Sequence, residues 1–183
     1  MTTTRKKRTA TKAPTKLPPN PLSFEVLNLV SKARSKAKKL ELLKEYEHPS
    51  IKALFIWNFD ESVISILPPG EVPYFEDDND SISTKIETAV EKMGESGSLG
   101  ATDTKYTTIR TEYTKFYNFI KGGNDALSSL RRESIFIDLL KGLHPLEAEI
   151  ICLCKDKRLQ EKYKLTKELA GEAYPDIRWG GRS

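Results

Sequence analysis

"HPSIKALFIWNF", residues 48–59, is the stretch whose reading decides the fold. Pro49 suits the first position of a helix, where its missing N–H costs nothing. From Ile51 to Phe59 the apolar residues fall on nearly every side of a helix, more faces than a surface helix can bury. The stretch therefore reads as a central helix around which others pack. Pro68, Pro69 and Gly70 close this half of the chain.

Working outward, Phe24, Leu27, Val30 and Ala33 recur at helical spacing, and Ala37, Leu40, Leu43 and Tyr46 do so again. Ser35 between the two sets predicts a tight turn whose serine caps the second helix. Downstream, Ile109, Tyr113, Phe116, Tyr117 and Ile120 form an aromatic stripe, expected to be core and ended by Gly122–Gly123. Leu127, Leu130, Ile135, Ile137, Leu139 and Leu140 mark a further helix ended by Gly142. Pro145 opens the next, with Glu147 and Glu149 in its first turn, where the macrodipole favours acids. No segment alternates with period two over the length of a strand. The expected fold class is all-α: a single compact helical domain of six or seven helices.

The domain is expected over residues 22–177. At 183 residues and 38% hydrophobic, the chain suits one core plus tails. Residues 1–21, rich in Thr, Lys, Arg and Pro, read as a disordered basic tail. Residues 71–104, acidic and then Gly/Ser-rich, read as a mobile insertion holding at most one short helix, at 82–93. Residues 178–183 read as a C-terminal tail. No run of about 18 apolar residues occurs, so no membrane span is expected. The basic start lacks the apolar core of a secretory signal, and Pro14, Pro18, Pro19 and Pro21 break any amphipathic transit helix.

The net charge of +4 is unevenly spread. Residues 1–20 carry six cations and no acid, so the other 163 residues sum to −2. Within those, 71–95 holds eight acids against Lys85 and Lys92, while 105–183 has fifteen Lys/Arg against eleven acids.

Chemical motifs are scarce. Cys152 and Cys154 would stand about 200° apart on a helix, so they do not share a metal or a disulfide. They read as reduced, partly buried thiols of a cytosolic protein. His48 and His144 each precede a Pro at a helix start and read as caps. There is no HExxH, CxxC or GxxxxGK, no Gly is followed by Lys, and no Asp is followed by Gly. No catalytic residue, cofactor, metal or small-molecule substrate is expected, and the protein is not expected to be an enzyme.

The stretch "KDKRLQEKYKLTKELAGEAYPDI", residues 155–177, carries the site expectation. Projected as one helix over 155–174, Leu159, Tyr163, Leu165, Thr166, Leu169, Ala170 and Ala173 share a buried face. Lys155, Arg158 and Lys162 then lie together beside that face without acidic partners, as candidates for phosphate contacts. Lys157, Lys164 and Lys167 lie outside, with Lys157/Glu161 and Lys164/Glu168 paired at i, i+4. Lys121, Arg131 and Arg132, and Arg5, Lys6, Lys7 and Arg8 of the tail, complete the expected nucleic-acid-binding set.

The order of segments resembles the helical N-terminal DNA-binding domain of ATP-dependent DNA ligases over about 24–66 and 110–177. The carrying stretches are "FEVLNLVSKARSKAKKLELLKEY" (24–46), "HPSIKALFIWNF", "LLKGLHPLEAEIICLCKDKRLQ" (139–160) and "ELAGEAYPDI" (168–177). The resemblance implies backbone contacts to duplex DNA. Lacking a Lys-x-Asp-Gly motif and stopping where a ligase continues into its adenylation domain, the chain resembles a free-standing, non-catalytic relative of that module. "FIWNFDESVISILPPGEVPY" (55–74) and "RWGGRS" (178–183) also resemble an uncharacterised family of T-even-like phages, notably those of cyanobacteria.

Two functional expectations stay open. One is a non-catalytic DNA-binding accessory protein of a tailed phage, serving replication, repair, recombination or transcription in the host cytoplasm. The other is a virion component or host-factor-binding protein, with Trp179 anchoring the partner.

Overall fold

The computed structural model describes residues 17–70, 72 and 106–182. The expectations for Arg5, Lys6, Lys7 and Arg8, for most of the tail, and for nearly all of the acidic insertion lie outside the described residues. The described part of the tail is not free. Leu17 packs on the core and Pro21 is buried, so the packed body begins upstream of Leu22.

Eight α-helices and one 3-10 helix occur among the described residues. They are α1 (Ser23–Lys32), α2 (Lys36–Glu45), α3 (Pro49–Phe59), α4 (Ile109–Glu112) running into a 3-10 helix (Tyr113–Phe119), α5 (Ser129–Gly142), α6 (Pro145–Lys155), α7 (Leu159–Lys162) and α8 (Lys167–Ala173). The fold is all-α and forms one compact domain; among the described residues the isolated bridges Ser65–Ile120 and Thr107–Leu143 join segments outside the helices. No helix among the described residues is long and apolar enough to cross a membrane.

Local chemistry sets the helix starts. Ser35 Oγ accepts from the Lys38 N–H at 3.2 Å, as its position in the turn predicts. His48 Nδ1 accepts from Ser50 N and His144 Nδ1 from Leu146 N, both at 3.1 Å, each with Pro at the first helical position. Both histidines are caps. In α1, Glu25 reaches back to accept from Leu22 N, the acidic half of a capping box.

The central helix is α3. It packs against α4, α6 and α8, with Ile51, Leu54, Phe55 and Trp57 all buried. Trp57 stacks against Phe119 at 6.2 Å between ring centroids and lies 5.0 Å from Phe116, and Phe119 meets Phe136 of α5 edge-on at 5.0 Å. This cluster corrects the aromatic stripe. Tyr117 is 51% exposed, while Phe119, outside the stripe, is fully buried. The reason is the 3-10 geometry, in which residues three apart eclipse, so Phe116 and Phe119 face the core together. In α5, Leu130 is likewise 80% exposed, and the buried line is Arg132, Phe136, Leu139 and Leu140. The turn after the 3-10 helix needs its glycines. Gly122 sits at φ +84°, and a Cβ on Gly123 would meet the Tyr117 carbonyl oxygen at 2.0 Å.

The expected single helix over 155–174 is broken into pieces. α6 ends at Lys155, and Lys157 adopts φ +57°. Arg158 N then donates to Leu153 O at 2.8 Å and Lys157 N to Cys154 O at 3.1 Å, a helix-ending loop of the Schellman kind. The left-handed residue is held by its own side chain: Lys157 Nζ donates to Trp57 O and Asp60 O at 2.8 and 2.9 Å. Those carbonyls belong to the C-terminal end of α3, where acceptors lack intrahelical donors and a cation is favoured. Residues 163–166 form a non-helical link, tightened by a turn in which Leu165 N donates to Tyr163 O at 2.8 Å, and lead to Thr166, whose Oγ1 caps α8 by accepting from Leu169 N. The expected apolar face survives the break, with Leu159, Tyr163, Leu165, Leu169, Ala170 and Ala173 buried, although Thr166 is exposed.

Residues 178–182 pack back onto the body. Asp60, 1% exposed, accepts from Gly180 N and Arg182 Nε, both at 3.0 Å, and Arg182 N donates to Ser62 Oγ.

Candidate functional site

Lys155, Arg158 and Lys162 do not form a common surface. Lys155 is buried, its side chain fully enclosed, and Nζ donates to Pro68 O at 2.7 Å, Gly70 O at 3.1 Å and Asp156 Oδ1 at 2.7 Å. Enclosed in this way, it cannot reach a phosphate. Arg158 is exposed but pairs with Glu161 at 2.7 Å, and Lys162 pairs with Glu149. The trio expected to lack acidic partners thus has one in each case. The break after α6 accounts for the last of these, because it swings Lys162 back beside Glu149 of α6; Glu161 stands three residues from Arg158 and Asp156 next to Lys155, so those two pairings are local.

The outer set also departs from expectation. Lys157 serves the α3 carbonyls and leaves Glu161 to Arg158. Lys167 Nζ lies over the Trp179 ring, 5.4 Å from its centroid. Trp179 is only partly exposed and packs beside Gly171, so this chain already occupies the ring expected to anchor a partner. Arg132 is a clamp: it is buried and donates to the carbonyls of Asn118, Asn124 and Leu127. Lys121 and Arg131 remain exposed, at the Gly122–Gly123 turn and in the first turn of α5.

Among the described residues, a denser group of cations lies elsewhere. An open groove of about 810 Å³ runs between the α1–α2 turn and the start of α8, lined by Lys32, Arg34, Lys36, Lys39 and Lys164 against the single acid Glu168. Lys39 Nζ donates to Lys164 O at 2.8 Å, and Lys164 N donates to Ser31 Oγ at 3.0 Å. These two bonds fasten the non-helical link 163–166 to α1 and α2. Lys36 reaches Glu172 at 2.5 Å. Lys32, Arg34, Lys39 and Lys164 have no carboxylate within ion-pair distance among the described residues. Like charges collected in a concave surface focus the field there. The arrangement can hold a polyanion.

The sequence signal for this groove is "SKARSKAKK", residues 31–39, with five cations and no acid. Helical periodicity assigns that run to the α1–α2 turn and the start of α2, with no site signal of its own. Its partner Lys164 is 125 residues from Lys39 and joins it only in the fold.

No curated protein and no solved structure matches the chain. A family profile does match, over residues 26–94 and 98–161, and by that match, most of its length, the chain belongs to a family of unknown function, DUF6433.

Proposed function

We propose that this protein is a non-catalytic nucleic-acid-binding accessory protein that holds the phosphate backbone of duplex DNA in the α1–α2/α8 groove. The observation that carries the reading is the convergence there of Lys32, Arg34, Lys39 and Lys164 with no carboxylate partner among the described residues. Backbone phosphates supply most of the affinity of such proteins and need cations on one surface rather than a high total charge. The −2 of residues 21–183 is therefore compatible with binding, because the charge that matters is local. The resemblance to the DNA-binding module of ligases supports the same reading, since the Lys-rich turn and helix that line the groove fall within it. The resemblance to a T-even-like phage family suggests replication, repair, recombination or transcription in an infected cell as the setting.

The test is fluorescence anisotropy of a short labelled duplex with the full chain. A K32Q/R34Q/K39Q/K164Q variant should bind about tenfold or more weakly, a loss of about 1.4 kcal/mol. Wild-type affinity in that variant at low salt would overturn the proposal.

A further inference from the structure

The basic groove has one acid in its lining and a second paired to one of its cations. Glu168 and Glu172 stand one turn apart on α8 and so share a face. Glu168 lines the groove itself. Glu172 Oε1 lies 2.5 Å from the ammonium of Lys36, one of the five lining cations, with the two side chains 48% and 61% exposed. A pair this exposed contributes little to holding the fold. Each carboxylate still places a full negative charge beside the path of any phosphate entering the groove, and Glu172 occupies an ammonium that a phosphate would use.

We infer that Glu168 and Glu172 are an electrostatic counterweight that competes with phosphate for the groove's cations and holds its affinity for nucleic acid down. The inference rests on the reading of the groove as a polyanion site. The mechanism is exchange. As a backbone phosphate arrives, Lys36 releases Glu172 and donates to the phosphate oxygen; as it leaves, Glu172 takes the ammonium back. The internal acid replaces solvent as the resting partner of Lys36, so release leaves no bare cation. A strand held this way dissociates quickly and can move along the protein, because affinity changes of this kind act mainly on the off-rate.

The experiment compares Glu172→Gln and Glu168→Gln with wild type in the full chain, using the same labelled duplex at low salt and at about 0.15 M. Each substitution should tighten binding by roughly two- to fivefold, the effect of removing one unit charge about 5–8 Å from a phosphate in a largely aqueous setting. The gain should shrink at the higher salt as the Debye length shortens. Unchanged or weaker binding by E172Q, together with a lower melting temperature, would make the Lys36–Glu172 pair a structural staple and overturn the inference. E168Q breaks no ion pair among the described residues, so it decides the matter should E172Q fold poorly. The two readings fail separately. If the four-cation variant binds like wild type, the groove itself is wrong; if that variant weakens but neither glutamine variant tightens, only the counterweight is.

Discussion

Ser23 and Glu147 meet across 124 residues of sequence: Ser23 Oγ donates to Glu147 Oε2 at 2.6 Å and Ser23 N donates to the same oxygen at 3.0 Å. The other oxygen accepts from Ile109 N at 3.2 Å. One fully buried carboxylate in the first turn of α6 thus collects backbone donors from the starts of α1 and α4. Without it those N–H groups would be buried and unsatisfied.

Replacing Ser23 with Ala should therefore destabilise the protein by about 1.5–3 kcal/mol, the usual cost of losing a hydrogen bond to a charged group. The measurement is urea unfolding followed by circular dichroism. The loss should be larger at neutral pH, where Glu147 is more fully ionised, than near pH 4.5.

Glu147 also sets a pH slope. Burial pushes its carboxyl above the ordinary 4.5; the donors from Ser23 and Ile109 oppose this and the charge of Glu25 adds to it, leaving the net direction upward. The folded state then binds this proton more tightly than the unfolded chain. Its contribution to stability is present below about pH 4.5 and declines as pH rises through the folded value. Glu147→Gln has no proton to lose and should flatten that decline in the urea midpoint above pH 4.5. An unchanged pH profile would remove Glu147 as its source.

Asp60 should give the opposite limb. Burial alone would raise its carboxyl, but hydrogen bonds from Ser62, the Gly180 N–H and Arg182 outweigh that and hold it at about 2, from an ordinary 3.8. A depressed carboxyl adds stability above its unfolded value and loses it as pH falls toward 2, an amount of about 2 kcal/mol. Asp60→Asn should remove that acid-side loss and lower stability at neutral pH by a similar amount. It should also release residues 178–182, which limited proteolysis would detect as earlier cleavage near Arg178.

Lys155, Arg158 and Lys162 should separate in mutagenesis. Lys155→Ala strips a buried ammonium from two carbonyls and Asp156, and should cost about 3–5 kcal/mol, as breaking a buried charged network does. Arg158→Gln and Lys162→Gln break surface pairs and should leave the melting temperature nearly unchanged. Thermal melts of the three single variants check this directly.

The groove prediction has a salt signature. Each phosphate contact contributes about 0.9 to the slope of log K against log salt on duplex DNA. The K32Q/R34Q/K39Q/K164Q variant should show a slope shallower by about 2–4, with an unchanged circular dichroism spectrum. An equal slope in both proteins would assign the measured binding to cations outside the groove.

What the sequence determined by itself is local. Pro49 and Pro145 with their preceding histidines, Ser35 in its turn, and the all-round apolar α3 were legible because each depends on neighbours within one helical turn. Periodicity failed where the period itself changed. Phe119 and Tyr117 exchanged places because the segment winds as a 3-10 helix, and nothing in its composition separates the two windings. The terminal helix broke at Lys157 because that side chain found the orphan carbonyls of α3, some hundred residues earlier. Charge was misjudged for the same reason. Counting acids on one helix left Lys155 and Lys162 without partners, whereas Pro68, Gly70 and Glu149 supply them in the fold; Arg158 takes Glu161, three residues on, once Lys157 turns to α3. The basic groove shows both halves: Lys32 to Lys39 stand together in the chain, but Lys164 and the acidic face of α8 join them only through tertiary packing. Electrostatic partnership depends on distance in space, and for long, charged side chains the sequence constrains that distance only within a turn or two.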